Sequence, residues 1–157
     1  MLDEVIQVCV YARAGWPLTW RTVQALPAVL AVEPAPPATL DISVPDELTL
    51  RTERGPVNLR RLGESEIELH RAQHLKAQAG VPALVEHLTH LKAIWHVSGR
   101  SRSHLAIQRV VDALATDLEG LYLSTWWYHP GGRMIETHRD RRSIDEVLRS
   151  LGIGFER

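Results

Sequence analysis

The sequence contains a single cysteine, Cys9, among its 157 residues. One thiol cannot form an internal disulfide, whereas small secreted domains usually carry several. The first ten residues are MLDEVIQVCV, with acids where a signal peptide has basic residues. No apolar run approaches the length of about 20 residues that a membrane span needs. We therefore expect a cytoplasmic protein without a membrane segment.

The chain also lacks an excess of charge, because its formal net charge is −1. This balance gives no general attraction to nucleic acid or to an anionic membrane, so such binding would require a local patch. Lysine is scarce, since only Lys76 and Lys92 among the 18 basic residues are lysine. A preference for arginine is typical of bidentate contacts with phosphate or carboxylate groups, and equally of a GC-rich coding sequence.

What the chain does contain is typical of a folded protein: 45% of its residues are hydrophobic and 24% are charged. Its length fits one domain that buries about two thirds of its unfolded surface. The segment 33–38, EPAPPA, predicts a stiff proline-rich connector. We interpret it as a surface crossover inside a single domain of residues 1–157.

Apolar periodicity predicts alternating strands and helices. The order strand, turn, helix, strand of residues 5–32 recurs in residues 92–125, which favours two ferredoxin-like β-α-β halves that share one sheet. We expect an α+β fold, a single layered domain with a mixed or antiparallel sheet and helices on one face. Strands are predicted at 5–12, 28–32, 39–44, 48–53, 56–61, 92–97 and 121–125, helices at 18–26, 81–91 and 103–119, and a C-terminal helix and tail at 143–157, whereas 65–70 fits either a strand or a helix.

The junction between the strand KAIWHV and the following helix is a candidate anion site. A helix start leaves free N–H groups and the positive end of the helix dipole above the turn. Small side chains and arginines at such a turn suit a phosphate, a carboxylate or a sulfate. The predicted anion site consists of Ser98, Gly99, Arg100, Ser101, Arg102 and Ser103.

This turn has a simpler interpretation, because it matches neither glycine-rich nucleotide motif. It would then be a helix start capped by Ser101 or Ser103, with solvated arginines and a left-handed stop at Gly120. The turn 11–16 occupies the equivalent place in the first half. If the halves are related, Arg13 should join the arginines of the second turn in one positive cleft.

Aromatic and arginine side chains are concentrated near the end of the chain. Such surfaces are typical of protein–protein contacts, and they also suit single-stranded nucleic acid, in which bases stack on rings. In the third interpretation these side chains are ordinary parts of the folded structure and have no binding role. The predicted interaction surface consists of Trp126, Trp127, Tyr128, Arg133, Arg139, Arg141 and Arg142.

Histidines at helical spacing raise the question of a metal site. His70 and His74 are four residues apart, and His87 and His90 are three apart. However, no HExxH motif and no cysteine partner accompany them. We interpret them as surface histidines and expect no metal and no cofactor.

Nucleophilic catalysis has little support in the residue pattern. No G-x-S-x-G motif is present. Ser98 and His96 would share a strand face, but the sequence places no acid beside them. Cys9 lies in an apolar run, where a thiol is inert. We therefore predict no catalytic residue.

These observations favour a small cytoplasmic binding or interaction protein rather than an enzyme, with a protein partner or a second copy of itself on the aromatic and arginine surface. The first alternative is an enzyme or sensor for a small phosphorylated or carboxylated ligand at 98–104. The second is single-stranded nucleic acid binding through 126–142, which the neutral net charge disfavours.

Overall fold

A computed structural model describes residues 5–77, 82–124 and 135–136. Within them the chain forms seven strands and four α-helices, and a short 3-10 turn, Ser101–Ser103, leads into the last helix. The strands are β1 Val5–Ala12, β2 Ala31–Glu33, β3 Glu47–Thr52, β4 Gly55–Arg61, β5 Ala93–Arg100, β6 Gly120–Ser124 and β7 Ile135–Glu136, and the helices are α1 Trp20–Gln24, α2 Glu64–Ala77, α3 Pro82–Thr89 and α4 His104–Asp117.

One sheet of seven strands, in the order β2-β3-β4-β5-β1-β6-β7, connects these elements. All neighbours are antiparallel except β6 and β7. β1 lies inside the sheet, where Val5 pairs with Arg100 and Ala12 pairs with Ala93 of β5. The predicted α+β class and mixed sheet are therefore confirmed.

The two predicted ferredoxin-like halves are not confirmed. β5, α4 and β6 form a β-α-β unit whose two strands flank β1. In the first half, however, β2 lies at the edge of the sheet, and β3, β4 and β5 separate it from β1. The similar order of elements in the sequence therefore does not correspond to similar positions in the sheet.

The apolar face of the sheet packs against α4, as the periodicity of this helix predicts. Val10 and Val97 from the sheet and Val110 and Leu114 from α4 are fully buried in one core. Gly99 of β5 lets the helix approach, since a Cβ there would lie 3.0 Å from Cδ1 of Ile107. The most periodic helix of the chain thus covers the centre of the sheet.

The opposite face of the sheet is contacted by α2, through His70 on Tyr11 and Glu66 on Arg60, so the expectation that the helices lie on one face is wrong. This helix starts at Glu64, and the carboxylate of Glu66 accepts a hydrogen bond from the Gly63 N–H at 3.3 Å, which is half of a capping box. The Arg71 guanidinium donates to the carbonyls of Leu88 and Leu91, both 3.1 Å away, and so joins α2 to the chain around the end of α3. The ambiguous segment 65–70 is therefore helical.

Two local expectations need correction. Segment 39–44 is not a strand, since within it only Ser43 makes an isolated bridge, to Thr19. β2 takes its place in the meander because it pairs with β3. The left-handed residue after α4 is Glu119, with φ of 49°, while Gly120 starts β6.

None of the helices in the described ranges combines the length and apolar character needed to cross a bilayer.

Candidate functional site

The residues of the predicted anion site form the connection between β5 and α4. Ser98, Gly99 and Arg100 belong to β5, and the 3-10 turn supplies the other three residues. Ser103 is 1% exposed, and its hydroxyl donates to the carbonyl of Arg54 at 2.8 Å. It makes no side-chain hydrogen bond to the helix start, so the expected serine cap is absent at Ser103. Packing explains Gly99 and Ser103, and anion binding at this turn stays a prediction.

The expected cleft between Arg13 and the arginines of this turn is wrong. Arg13 follows the end of β1 that pairs with Ala93, whereas Arg100 pairs with Val5 at the other end. Seven residues of antiparallel strand at about 3.4 Å each separate the two ends by roughly 24 Å. The cause is the antiparallel register of β1 and β5, which periodicity does not reveal.

The predicted aromatic and arginine surface lies outside the described residues, as does the predicted C-terminal helix. From this part of the chain the structure describes only β7, which pairs with β6 in parallel. Protein binding or nucleic acid binding by this surface stays a prediction for Trp126, Trp127, Tyr128, Arg133, Arg139, Arg141 and Arg142.

A pocket of about 350 Å³ opens at the edge of the sheet where β1 and β4 end and β5 begins. Its walls come from the loop after β1, from Ser43, Val44 and Asp46, and from Leu118, the residue that follows α4. We call it the cationic pocket, defined by Trp16, Val44, Asp46, Arg61, Lys92 and Trp95.

Backbone hydrogen bonds hold these walls in place. The Ala14 N–H donates to the carbonyl of Leu118 at 3.0 Å, which fixes the loop after β1 to the end of α4. The Lys92 N–H donates to the carbonyl of Ala12 at 2.8 Å, and the Arg61 N–H donates to that of Asp46 at 2.7 Å. The residues that carry the two cationic side chains therefore have anchored backbones.

Arg61 and Lys92 give the pocket an excess of positive charge. Both are exposed, and neither forms an ion pair within the described part of the chain, where the arginines paired with carboxylates are Arg21, Arg51, Arg60 and Arg71. Asp46 is the one acidic residue among the described lining. An anion that enters this pocket would meet two cations against one carboxylate.

Two indole rings line the same pocket in different ways. Trp95 is 3% exposed and belongs to the core, whereas Trp16 is 55% exposed. Nε1 of Trp16 donates to the carbonyl of Asp117 at 3.0 Å, so its ring is fixed although it faces solvent. The sequence predicted a turn at 11–16 but neither the exposure of the Trp16 ring nor its hydrogen bond.

A second cavity, of about 590 Å³, lies on the face of the sheet that α2 contacts, and we call it the sheet-face cavity. Ser98 and His96 both line it, so they share a strand face as expected. Two of the charged residues that line it are paired, since Glu33 accepts from Arg51 at 2.8 Å and Arg60 donates to Glu66 at 3.1 Å, and Glu47 adds a further carboxylate. Its described lining carries no excess of positive charge, so this cavity attracts an anion less than the cationic pocket does.

Beside this cavity lies a cluster of titratable groups from β1, β5 and α2. The hydroxyl oxygen of Tyr11 is 3.0 Å from Nδ1 of His70. Burial raises the pKa of Cys9 to about 11, against a smaller lowering effect of the hydrogen bond with Tyr11. Burial also raises the pKa of Tyr11 and lowers the pKa of both His70 and His96. These groups are thus held in their neutral forms.

This cluster does not resemble an activated catalytic centre. A thiol reacts as its thiolate, and the raised pKa keeps Cys9 protonated at neutral pH. Among the residues that the structure describes, no group of three or more His, Cys, Asp or Glu could hold a metal ion. The cluster is therefore a partly buried polar junction between β1, β5 and α2.

Comparisons with known proteins add no family to this picture, because no protein-family model, no curated protein and no solved structure matches the chain. None of the residues that define the cationic pocket is among the site residues predicted from the sequence. Arg61 and Lys92 are 31 positions apart in the chain, and only the pairing of β4 with β5 brings the ends of these strands together.

Proposed function

We propose that the protein binds a small phosphorylated or carboxylated ligand in the cationic pocket. The observation that carries this proposal is the presence of Arg61 and Lys92 in one pocket, both without a carboxylate partner within the described residues. The ligand class is the first alternative from the sequence. The residues are different, since the pocket replaces the 98–104 turn.

The physical argument rests on charge and on partial burial. A guanidinium can hold a phosphate or carboxylate through two parallel hydrogen bonds, and an ammonium adds a second charge. Val44 and Trp95 give the pocket an apolar floor. Near such a floor the effective dielectric constant is lower than in water, which strengthens the attraction to an anion. The pocket therefore favours an anion over a neutral ligand of the same shape.

The lining of the pocket favours binding over catalysis. Among its described residues there is no histidine and no cysteine, and its serine, Ser43, is exposed and has no histidine beside it in the lining. This supports a binding protein or sensor rather than an enzyme for this pocket.

The experiment measures binding of inorganic phosphate, citrate, ribose 5-phosphate and AMP by thermal shift and by calorimetry. A ligand present at 100 times its Kd should stabilise the protein by about 2.7 kcal/mol. Arg61→Gln and Lys92→Gln should each weaken binding about tenfold, because each removes one charge-assisted contact. The matched control is Arg51→Gln, which removes an exposed arginine outside the pocket.

The outcomes are distinct. If none of the four anions shifts the unfolding temperature of the wild-type protein, the proposal is rejected. If anions bind and Arg51→Gln lowers their affinity as much as Arg61→Gln does, the binding site is not the cationic pocket and the proposal is again rejected.

A further inference from the structure

We infer that the ligand of the cationic pocket is an anion that carries a flat aromatic ring, and that this ring stacks on Trp16. This inference rests on the proposed function, because it assigns the anionic part of the ligand to Arg61 and Lys92. It adds the chemical class of the remaining part. Nucleotides and aromatic carboxylates share this chemistry.

The first argument is the unusual exposure of Trp16. Trp20 and Trp95 are 5% and 3% exposed, as expected for large apolar side chains, whereas Trp16 is 55% exposed. Leaving an indole in water forgoes the stabilisation that its burial would give. Trp16 lines the pocket, so a ligand in the pocket can contact the exposed part of its ring.

The second argument is that the Trp16 ring is already ordered. Its Nε1 donates to the carbonyl of Asp117, and the loop that carries it is held to α4 by the hydrogen bond from Ala14 to Leu118. Pro17 follows directly and restricts the backbone. Because the ring has little freedom to lose, a ligand that stacks on it pays less ordering entropy.

The third argument is the position of the ring relative to the cations. Trp16, Arg61 and Lys92 line the same pocket, so one molecule can present a ring to the indole and an anionic group to the two side chains. The pocket volume of about 350 Å³ is at the small end of the range for ligand sites. It therefore suits a mononucleotide or an aromatic acid better than a dinucleotide.

The experiment compares pairs of probes that differ in the ring. AMP is compared with ribose 5-phosphate, and indole-3-acetate is compared with acetate, by calorimetry at one salt concentration. Stacking of one ring on an aromatic side chain corresponds to about 5- to 150-fold in affinity. We expect the ring-bearing probe to bind at least tenfold tighter in one pair. The pair that shows the difference identifies the ligand as a nucleotide or as an aromatic carboxylate.

Two variants locate the effect at Trp16. Trp16→Ala should remove the advantage of the ring-bearing probe and leave the binding of ribose 5-phosphate within about twofold, because it removes stacking but neither cation. Trp16→Phe should retain most of the advantage, since it keeps an aromatic face. Retained binding of ribose 5-phosphate also shows that Trp16→Ala is folded.

The results separate this inference from the proposed function. If wild-type protein binds both members of each pair equally, the aromatic class is wrong and anion binding stands. If Trp16→Ala keeps the full advantage, the ring lies elsewhere and the inference is wrong. If no anionic probe binds, the proposed function fails and this inference fails with it.

Discussion

The phenolic oxygen of Tyr11 lies 3.0 Å from Nδ1 of His70, and this contact joins the interior strand β1 to helix α2. Tyr11 is 1% exposed, so its hydroxyl requires a partner inside the protein. The neutral imidazole accepts this hydrogen bond when its proton is on Nε2. Protonation would turn Nδ1 into a donor and oblige the hydroxyl to donate elsewhere. Burial lowers the pKa of His70, which favours the neutral imidazole at this junction.

We predict that the protein loses stability as the pH falls from 7.5 to 5.5. Burial lowers the pKa of His70 and of His96 below their usual value of 6.5; the carboxylate of Glu66 opposes this effect and the positive charge of Arg60 adds to it. The unfolded chain therefore takes up protons first. The stability that comes from the two neutral imidazoles is complete above pH 6.5 and declines below it as the pH approaches the folded-state values. Urea unfolding at several pH values measures the decline.

His70→Asn is the informative variant for this prediction, because its amide oxygen can accept from Tyr11 without titrating. We expect it to lose less stability between pH 7.5 and 5.5 than the wild-type protein does. His90→Asn, at an exposed position after α3, is the matched control and should follow the wild-type profile. Equal pH dependence of His70→Asn and wild type would contradict the assignment.

A second prediction concerns the thiol of Cys9. With a pKa of about 11, roughly 0.1% of it is thiolate at pH 8, against about a quarter for an unperturbed cysteine. Alkylation by iodoacetamide should therefore be at least 100-fold slower in the native protein than in urea. Because Cys9 is the only cysteine, the reaction can be followed by mass without ambiguity.

The pH dependence of this reaction separates pKa from simple shielding. Between pH 8 and 10 the native rate should rise about tenfold per pH unit, because the thiolate fraction does so, whereas the rate in urea should level off above pH 9. A native rate that is slow but independent of pH would show that access, and not the pKa of Cys9, limits the reaction.

A third prediction follows from the contact between β5 and α4. Gly99→Ala would place a Cβ 3.0 Å from Cδ1 of Ile107 and 3.1 Å from the carbonyl oxygen of Pro56, and a backbone oxygen cannot move aside cheaply. We expect a loss of about 1–3 kcal/mol in the free energy of unfolding. Gly15→Ala is the matched control, since its Cβ would meet nothing within 4 Å. It should be neutral or slightly stabilising in urea unfolding.

Much of the fold follows from local patterns in the sequence. β1 has the predicted bounds, and α4, at His104–Asp117, lies within the predicted helix 103–119, because an apolar run and a helical stripe are properties of neighbouring residues. The segment 39–44 shows the limit of this approach. Its alternating pattern is that of a strand, yet the edge position beside β3 is occupied by β2.

The candidate site was beyond the reach of sequence patterns for a related reason. Arg61 lies at the end of β4, and Lys92 lies just before β5, so their proximity depends on strand pairing across 31 positions. The exposure of Trp16 depends on which elements cover it, and its neighbours in the sequence do not decide this. Local sequence patterns do not contain the long-range pairing register of the strands. The same lack of register information explains why the expected cleft between Arg13 and the arginines of the second turn is wrong.

The interior position of β1 has a consequence for biosynthesis. Its partners in the sheet are β5 and β6, and β6 begins roughly 110 residues later in the chain. At a translation rate of about 5–20 residues per second, β1 leaves the ribosome about 5–20 s before β6 does. During that time Val8 and Val10 have no complete sheet to join, whereas the β2–β4 meander can already form. The centre of the protein is therefore assembled late, after most of its periphery has been synthesised.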